Sequence, residues 1–191
     1  NTWLLNNGYA SLYDPFSQEE TSFFDNVDWS RTKAYGLGIN SLYLNVEGRE
    51  KNGVVKKGEE AERLVREIGE RLCGLKDPLT GKRPVARVFR PEEAYRGPYT
   101  QAAPDLIVGY NRNYRSSWET ILGSYPLEVY VDNEDKWSGD HCMDPSFLPG
   151  VFLCSRPFGK ANPSLLDLGP SILKEFGIET PKEMIGRSIF G

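Results

Sequence analysis

Histidine is nearly missing: the 191-residue chain carries one, His141. A metal centre that needs two or three imidazoles cannot be completed from this chain alone, and any histidine-based proton transfer must use that one ring. Cysteine is scarce too. Cys73, Cys142 and Cys154 are odd in number and lack a C-x-x-C spacing, which argues against a disulfide framework or a cysteine-built zinc site and points to a reducing compartment. Long hydrophobic runs are absent. The longest, such as IVG and VFLC, fall far short of the roughly 20 apolar residues of a membrane span. Positive charge is not in excess: 23 Lys and Arg stand against 27 Asp and Glu, for a net charge of -4, which argues against a nucleic-acid-binding surface. The first residues, NTWLLNNGYASLYD, hold no initiator methionine and no basic leader before an apolar stretch. The expectation is a chain entered partway through, without a signal peptide and cytoplasmic.

What is present suits a folded protein. Hydrophobic residues make up 39% and charged residues 26%, and a single α/β domain over residues 1–191 has the length to bury about 70% of its unfolded surface. The spacing predicts a short helix from Trp3 to Asn7 stopped by Gly8, then a loop with local turns over 13–34. Residues 35–46 read as one strand with a bulge, followed by a turn in EGREKNG. The strongest pattern is a helix over 58–75. Ala61, Leu64, Val65, Ile68, Leu72 and Leu75 make its apolar stripe, and Glu59–Arg63, Glu62–Arg66 and Glu67–Arg71 stand acid-first at four-residue spacing. PVARVFR reads as a strand, PEEAY as a short helix start, and DLIVGY, LEVYV and VFLCS as three further strands. A last helix is expected with Asp167 as N-cap, Pro170 in its first turn, Leu168, Ile172, Leu173 and Phe176 buried, and Gly177 ending it. Interleaved strands and helices make α/β the fold class.

The segment that can carry chemistry is KWSGDHCMD, residues 136–144. Gly139 permits a tight turn, and Asp140 and His141 follow it. Neutral imidazole is a good ligand for zinc and similar divalent ions, so His141 is the candidate metal ligand. The competing reading makes His141 a hydrogen-bonded surface residue and Asp140 a turn residue. Cys142 beside His141 is no nucleophile–base pair, because adjacent residues in extended chain point apart. Cys154, in an apolar strand candidate, reads as core; Asp105 reads as a loop residue and Asp167 as a helix cap. The glycines of AYGLG lack the lysine and hydroxyl pair of a phosphate loop. NRNYRSSW, with two arginines and two aromatics, is either an anion grip or an exposed polar loop.

Beyond these local signals, WSGDHCMDPSFLPGVFLCSR resembles the C-terminal part of the alkaline phosphatase superfamily, in its type I phosphodiesterase/nucleotide pyrophosphatase branch, among proteins described as predicted phosphohydrolases or phosphomutases. VDWSRTKAYGLG, LYLNVEGREKNGVV and GPYTQAAPDLIVGY resemble successive blocks of that family. LLDLGPSILKEFGIETPKEMIGRSIF resembles the superfamily's closing helix and tail, a pattern also found in sulfatases. The resemblance implies the C-terminal part of an alkaline-phosphatase-like three-layer fold, a mixed sheet with flanking helices. It implies an enzyme that cleaves phosphate esters or pyrophosphate bonds of small, nucleotide-like substrates through a phospho-enzyme. Two divalent metal ions, zinc or manganese, would clamp the attacking and leaving oxygens. His141 matches the family's last metal-binding histidine. The nucleophile and the Ser-Asp-His-Gly ligand pair match nothing in this chain and are expected upstream of Asn1, so the isolated chain is expected to be inactive. The alternative is a non-catalytic binding or assembly module of the same ancestry. With its partner strands missing, such a piece is expected to form a homo-oligomer.

Overall fold

The computed structural model describes residues 1–136, 139 and 143–190. The chain divides into two compact units, Asn1–Leu148 and Pro149–Gly191.

In the first unit, α1 spans Thr2–Asn6, with Gly8 at φ +74 just beyond it, where a side chain would be strained. Residues 13–34 hold a single 3-10 turn at Pro15–Ser17, capped by Asp14, and are closed at their base by a bridge between Leu12 and Val27. The strand expected over 35–46 is instead a hairpin: β1 (Ala34–Gly36) pairs antiparallel with β2 (Ser41–Leu44), Tyr35 opposite Tyr43. Gly38, at φ +78, reverses the chain, and Leu37 and Ile39 are left exposed in the turn. A turn at Gly38 stands where the sequence reads as an uninterrupted strand with a bulge.

α2 runs over Glu59–Gly74, as its stripe requires, with Glu59, Glu60 and Glu62 in the first turn, where they complement the helix dipole. Leu64, Val65, Ile68 and Leu72 are buried, each contributing about 1.5–3 kcal/mol by transfer from water. Of the acid-first pairs, Glu67–Arg71 is an ion pair at 3.9 Å. Glu62 pairs instead with Arg90. β3 (Val85–Phe89), α3 (Pro91–Ala94), β4 (Leu106–Tyr110) and α4 (Trp118–Ile121) follow. The sheet has four strands in the order β1-β2-β4-β3, and every ladder is antiparallel. The protein is thus mixed α/β, but the mixed sheet expected from the resemblance is not what the four strands form. Parallel pairing among the described residues is confined to isolated bridges such as Tyr110–Met143. The core joins Leu42, Leu44, Leu106 and Val108 of the sheet to Leu64, Ile68 and Leu72 of α2, with Leu4, Tyr9 and Val27 from the N-terminal segment.

LEVYV and VFLCS are not strands. Leu127 and Val131 are 56% and 62% exposed, and Val151 and Leu153 are 87% and 88% exposed. Alternating or apolar text makes a strand only where a neighbour takes up the backbone N–H and C=O groups, and among the described residues neither stretch joins a ladder. Cys154 is accordingly exposed, not core.

The second unit is organised around a buried carboxylate. Asp167 Oδ1 accepts from Lys160 Nζ (2.7 Å) and the Arg187 N–H (2.9 Å), and Oδ2 accepts from the Ser164 N–H and hydroxyl (2.8 and 3.0 Å). Asp167 holds the N-cap position of α5 (Leu168–Glu175), as expected, yet its side chain caps none of that helix's N–H groups. α5 buries Pro170 and Ser171, while Ile172 and Phe176 are 58% and 77% exposed. Ser171 sets this face: its hydroxyl donates to the Asp167 carbonyl (2.5 Å) and accepts from the N–H of Ile189, the buried apolar residue of the tail. No helix among the described residues is long and apolar enough to cross a membrane.

Candidate functional site

His141, the candidate metal ligand, lies outside the described residues, as do Asp140, Cys142, Trp137 and Ser138. The residues that follow are built into the sheet. Met143 bridges in parallel to Tyr110, the last residue of β4, and the Asp144 N–H donates to the Tyr110 carbonyl at 3.0 Å. Asp144 is buried. Its Oδ1 accepts from the Ser146 N–H (2.9 Å) and hydroxyl (2.5 Å), which fixes the 3-10 turn Pro145–Phe147. Its Oδ2 is buried without a hydrogen-bond partner among the described residues. Gly109 makes room for that oxygen: a Cβ there would stand 2.7 Å from Oδ2 and 3.1 Å from the Arg87 carbonyl. A side-chain-free position on β4 therefore lets a carboxylate lie directly against the strand.

The same end of β4 is laced to its neighbours. Asn40, in the hairpin turn, donates its side-chain amide to the Val108 carbonyl (2.6 Å), and its own carbonyl accepts the Val108 N–H (2.8 Å). Burial pushes the Tyr110 phenol up to about 12, against a smaller opposing effect of its hydrogen bond with Ser116. The NRNYRSSW segment separates into three roles. The Arg112 guanidinium lies 5.6 Å from the Phe147 ring centroid, beside the turn after the motif, and Arg115 stacks on Trp118 at 4.5 Å. Tyr114 donates its hydroxyl to Asp77 at 2.6 Å. The segment thus does not gather its cations and aromatics around one point.

Asp105, read from sequence as a loop residue, is half of a bidentate ion pair with Arg49 (3.0 and 2.6 Å). Arg49 also donates to the Leu44 carbonyl (2.6 Å), and Asp105 accepts the Leu44 N–H (2.7 Å). The hydrogen bonds and charge of Asp105, followed by those of Glu50, drive the Arg49 guanidinium above its ordinary range against the opposing effect of burial. This pairing closes the N-terminal end of β4, opposite the end that carries Tyr110. Its partners are 56 residues apart, so no local pattern reveals it. Asp144 was within reach of sequence reasoning: Asp-Pro-Ser is the signature of a capped turn three residues past His141.

Among the described residues no three His, Cys, Asp or Glu side chains converge to hold a metal ion. The two-metal centre implied by the resemblance is therefore not assembled by them. No family model, no curated protein and no solved structure matches the chain.

Proposed function

We propose that the chain is the C-terminal portion of a two-metal phosphohydrolase or phosphodiesterase, with an alkaline-phosphatase-like fold in the whole enzyme, in which His141 is one metal ligand. The observation that carries this reading is WSGDH at 137–141 followed by the helix-and-tail pattern at 165–190. The rigid mount of Met143 and Asp144 on β4 supports it, since a ligand loop needs a fixed flank. By the resemblance, the remaining ligands and the nucleophile belong to residues outside this chain.

The test is hydrolysis of bis-p-nitrophenyl phosphate by the full-length enzyme, with and without zinc or manganese, before and after His141→Ala. Metal-dependent turnover that falls by orders of magnitude on the substitution supports the reading. A full-length protein without such turnover, or one indifferent to the substitution, overturns it. The 191-residue chain alone is expected to show none. Transfer of phosphate to an added alcohol would mark the phosphomutase variant of this chemistry.

A second reading is a non-catalytic binding or assembly module. The observation in its favour is the set of large apolar side chains left exposed in the first unit, among them Phe16, Phe23 and Tyr13.

A further inference from the structure

The loop from Tyr13 to Asn26 combines three features that are independent of the phosphoesterase reading. Its aromatic residues face water: Phe16 is 100%, Phe23 74% and Tyr13 70% exposed. Its charge is of one sign. Asp14, Glu19, Glu20 and Asp25 are its ionisable acids, and it has no Lys or Arg. Outside the loop acids and bases are equal in number, so the whole formal charge of -4 resides here. And it is dented: Ser17, Glu20, Thr21, Asp25 and Asn26 line a concavity of about 330 Å³, with Phe16 and Phe23 next to these residues in the chain.

The exposure is not that of a slack loop. Asn26 accepts the Asp14 N–H through its side chain (3.0 Å) and returns a bond to the Asp14 carbonyl (2.7 Å). It also donates to Thr21, which is itself buried. Gln18 reaches the Pro126 carbonyl at 2.9 Å. Phe24 packs on Trp29 and Tyr35, and its N–H donates to the Gly123 carbonyl. Gly123 tolerates this approach because a Cβ there would meet the Phe24 ring at 2.5 Å. Two adjacent side chains thus go separate ways, Phe24 into packing and Phe23 to water. A braced frame that keeps three aromatic side chains wet loses little conformational entropy when they are covered. Fully exposed aromatics are also the residues that carry interface energy once desolvated.

We infer that this loop is a docking surface for a basic, amphipathic protein segment. Lys or Arg side chains of that segment enter the acidic dent between Glu20 and Asp25, and its apolar side chains cover Phe16 and Phe23. Charge selects the partner's sign, and the aromatics supply the affinity. An acidic or purely apolar partner would meet the four carboxylates at a cost, and nucleic acid is repelled by them.

The test is fluorescence anisotropy of the purified chain with a labelled amphipathic peptide of lysine and leucine, alongside glutamate–leucine and lysine–serine counterparts. The lysine–leucine peptide is expected to bind, and the other two to bind at least about tenfold more weakly. The Phe16→Ala/Phe23→Ala variant is expected to lose on the order of tenfold in affinity. Glu20→Gln/Asp25→Asn is expected to lose a similar factor together with most of the salt dependence. Glu59→Gln/Glu70→Gln, on the exposed face of α2, should change neither. All four positions substituted in the loop are solvent-exposed, and an unchanged melting curve verifies folding. No binding of the lysine–leucine peptide overturns the inference, as does equal binding of the lysine–serine peptide or indifference to the loop variants. Uptake of the chain by phosphatidylcholine vesicles, lost on Phe16→Ala/Phe23→Ala, would assign the surface to a membrane and overturn it as well.

Discussion

At the scale of single residues, two positions define what the first unit tolerates. Gly109 is where β4 admits the Asp144 carboxylate, and a methyl group there would press on Oδ2 and on the Arg87 carbonyl. Gly109→Ala is expected to destabilise the chain by about 1–3 kcal/mol, the range for forced overpacking, as read from the midpoint of urea unfolding. An unchanged midpoint would mean that the Asp144 turn shifts freely. Asp77 reports on acidity. Its carboxyl is held down to about 2, from an ordinary 3.8, by the hydroxyls of Tyr114 and Thr80 and by the N–H groups of Leu79 and Thr80. A carboxyl depressed in the folded state lends stability that is fully present above its unfolded value and is lost as pH falls through the folded one. Between about pH 4 and pH 2 the native chain should therefore lose denaturation midpoint more steeply than Asp77→Asn, and the two should converge at the acid end.

At the scale of elements, α2 shows how far a sequence pattern reaches. Of the six residues its stripe named, Leu64, Val65, Ile68 and Leu72 are buried and Ala61 and Leu75, at its ends, are partly buried, because a 3.6-residue period puts them on one face whatever that face meets. Ile68→Ala should cost about 2–5 kcal/mol, being wholly buried between helix and sheet, while Glu70→Ala on the exposed side should stay within about 0.5 kcal/mol. Calorimetric melting of the two variants side by side measures this contrast. Strands were less legible. DLIVGY became β4 and PVARVFR became β3, but LEVYV and VFLCS, similar in composition, join no ladder among the described residues. A helix satisfies its own backbone, whereas a strand depends on a neighbour that the local text does not contain. α5 carries the same lesson for burial. Its apolar residues were expected inside, yet Ser171 faces inward because the Asp167 network draws it there.

At the scale of the molecule, the apolar core cluster lies wholly within the first unit, from Leu4 to Tyr125, and the second unit relies on the hydrogen bonds of Asp167. A chain ending at Leu148 is accordingly expected to fold on its own with a cooperative thermal transition, since no member of that cluster is removed. Non-cooperative melting of residues 1–148 would show that the second unit is required for the first.

The sequence by itself determined the α/β class, the position of α2, two of the four sheet strands, the start of α5 at Asp167 and the motif that singles out His141. These follow from period and residue identity, which are local. Only the tertiary structure decided that residues 34–44 fold back as a hairpin, that Asp105 is clamped by Arg49, and that Asp144 lies buried against Gly109. It also decided which aromatics of the 13–26 loop are packed and which are left to water. Each of these depends on partners brought together from distant parts of the chain, and burial, like strand pairing, is a property of the neighbour as much as of the residue.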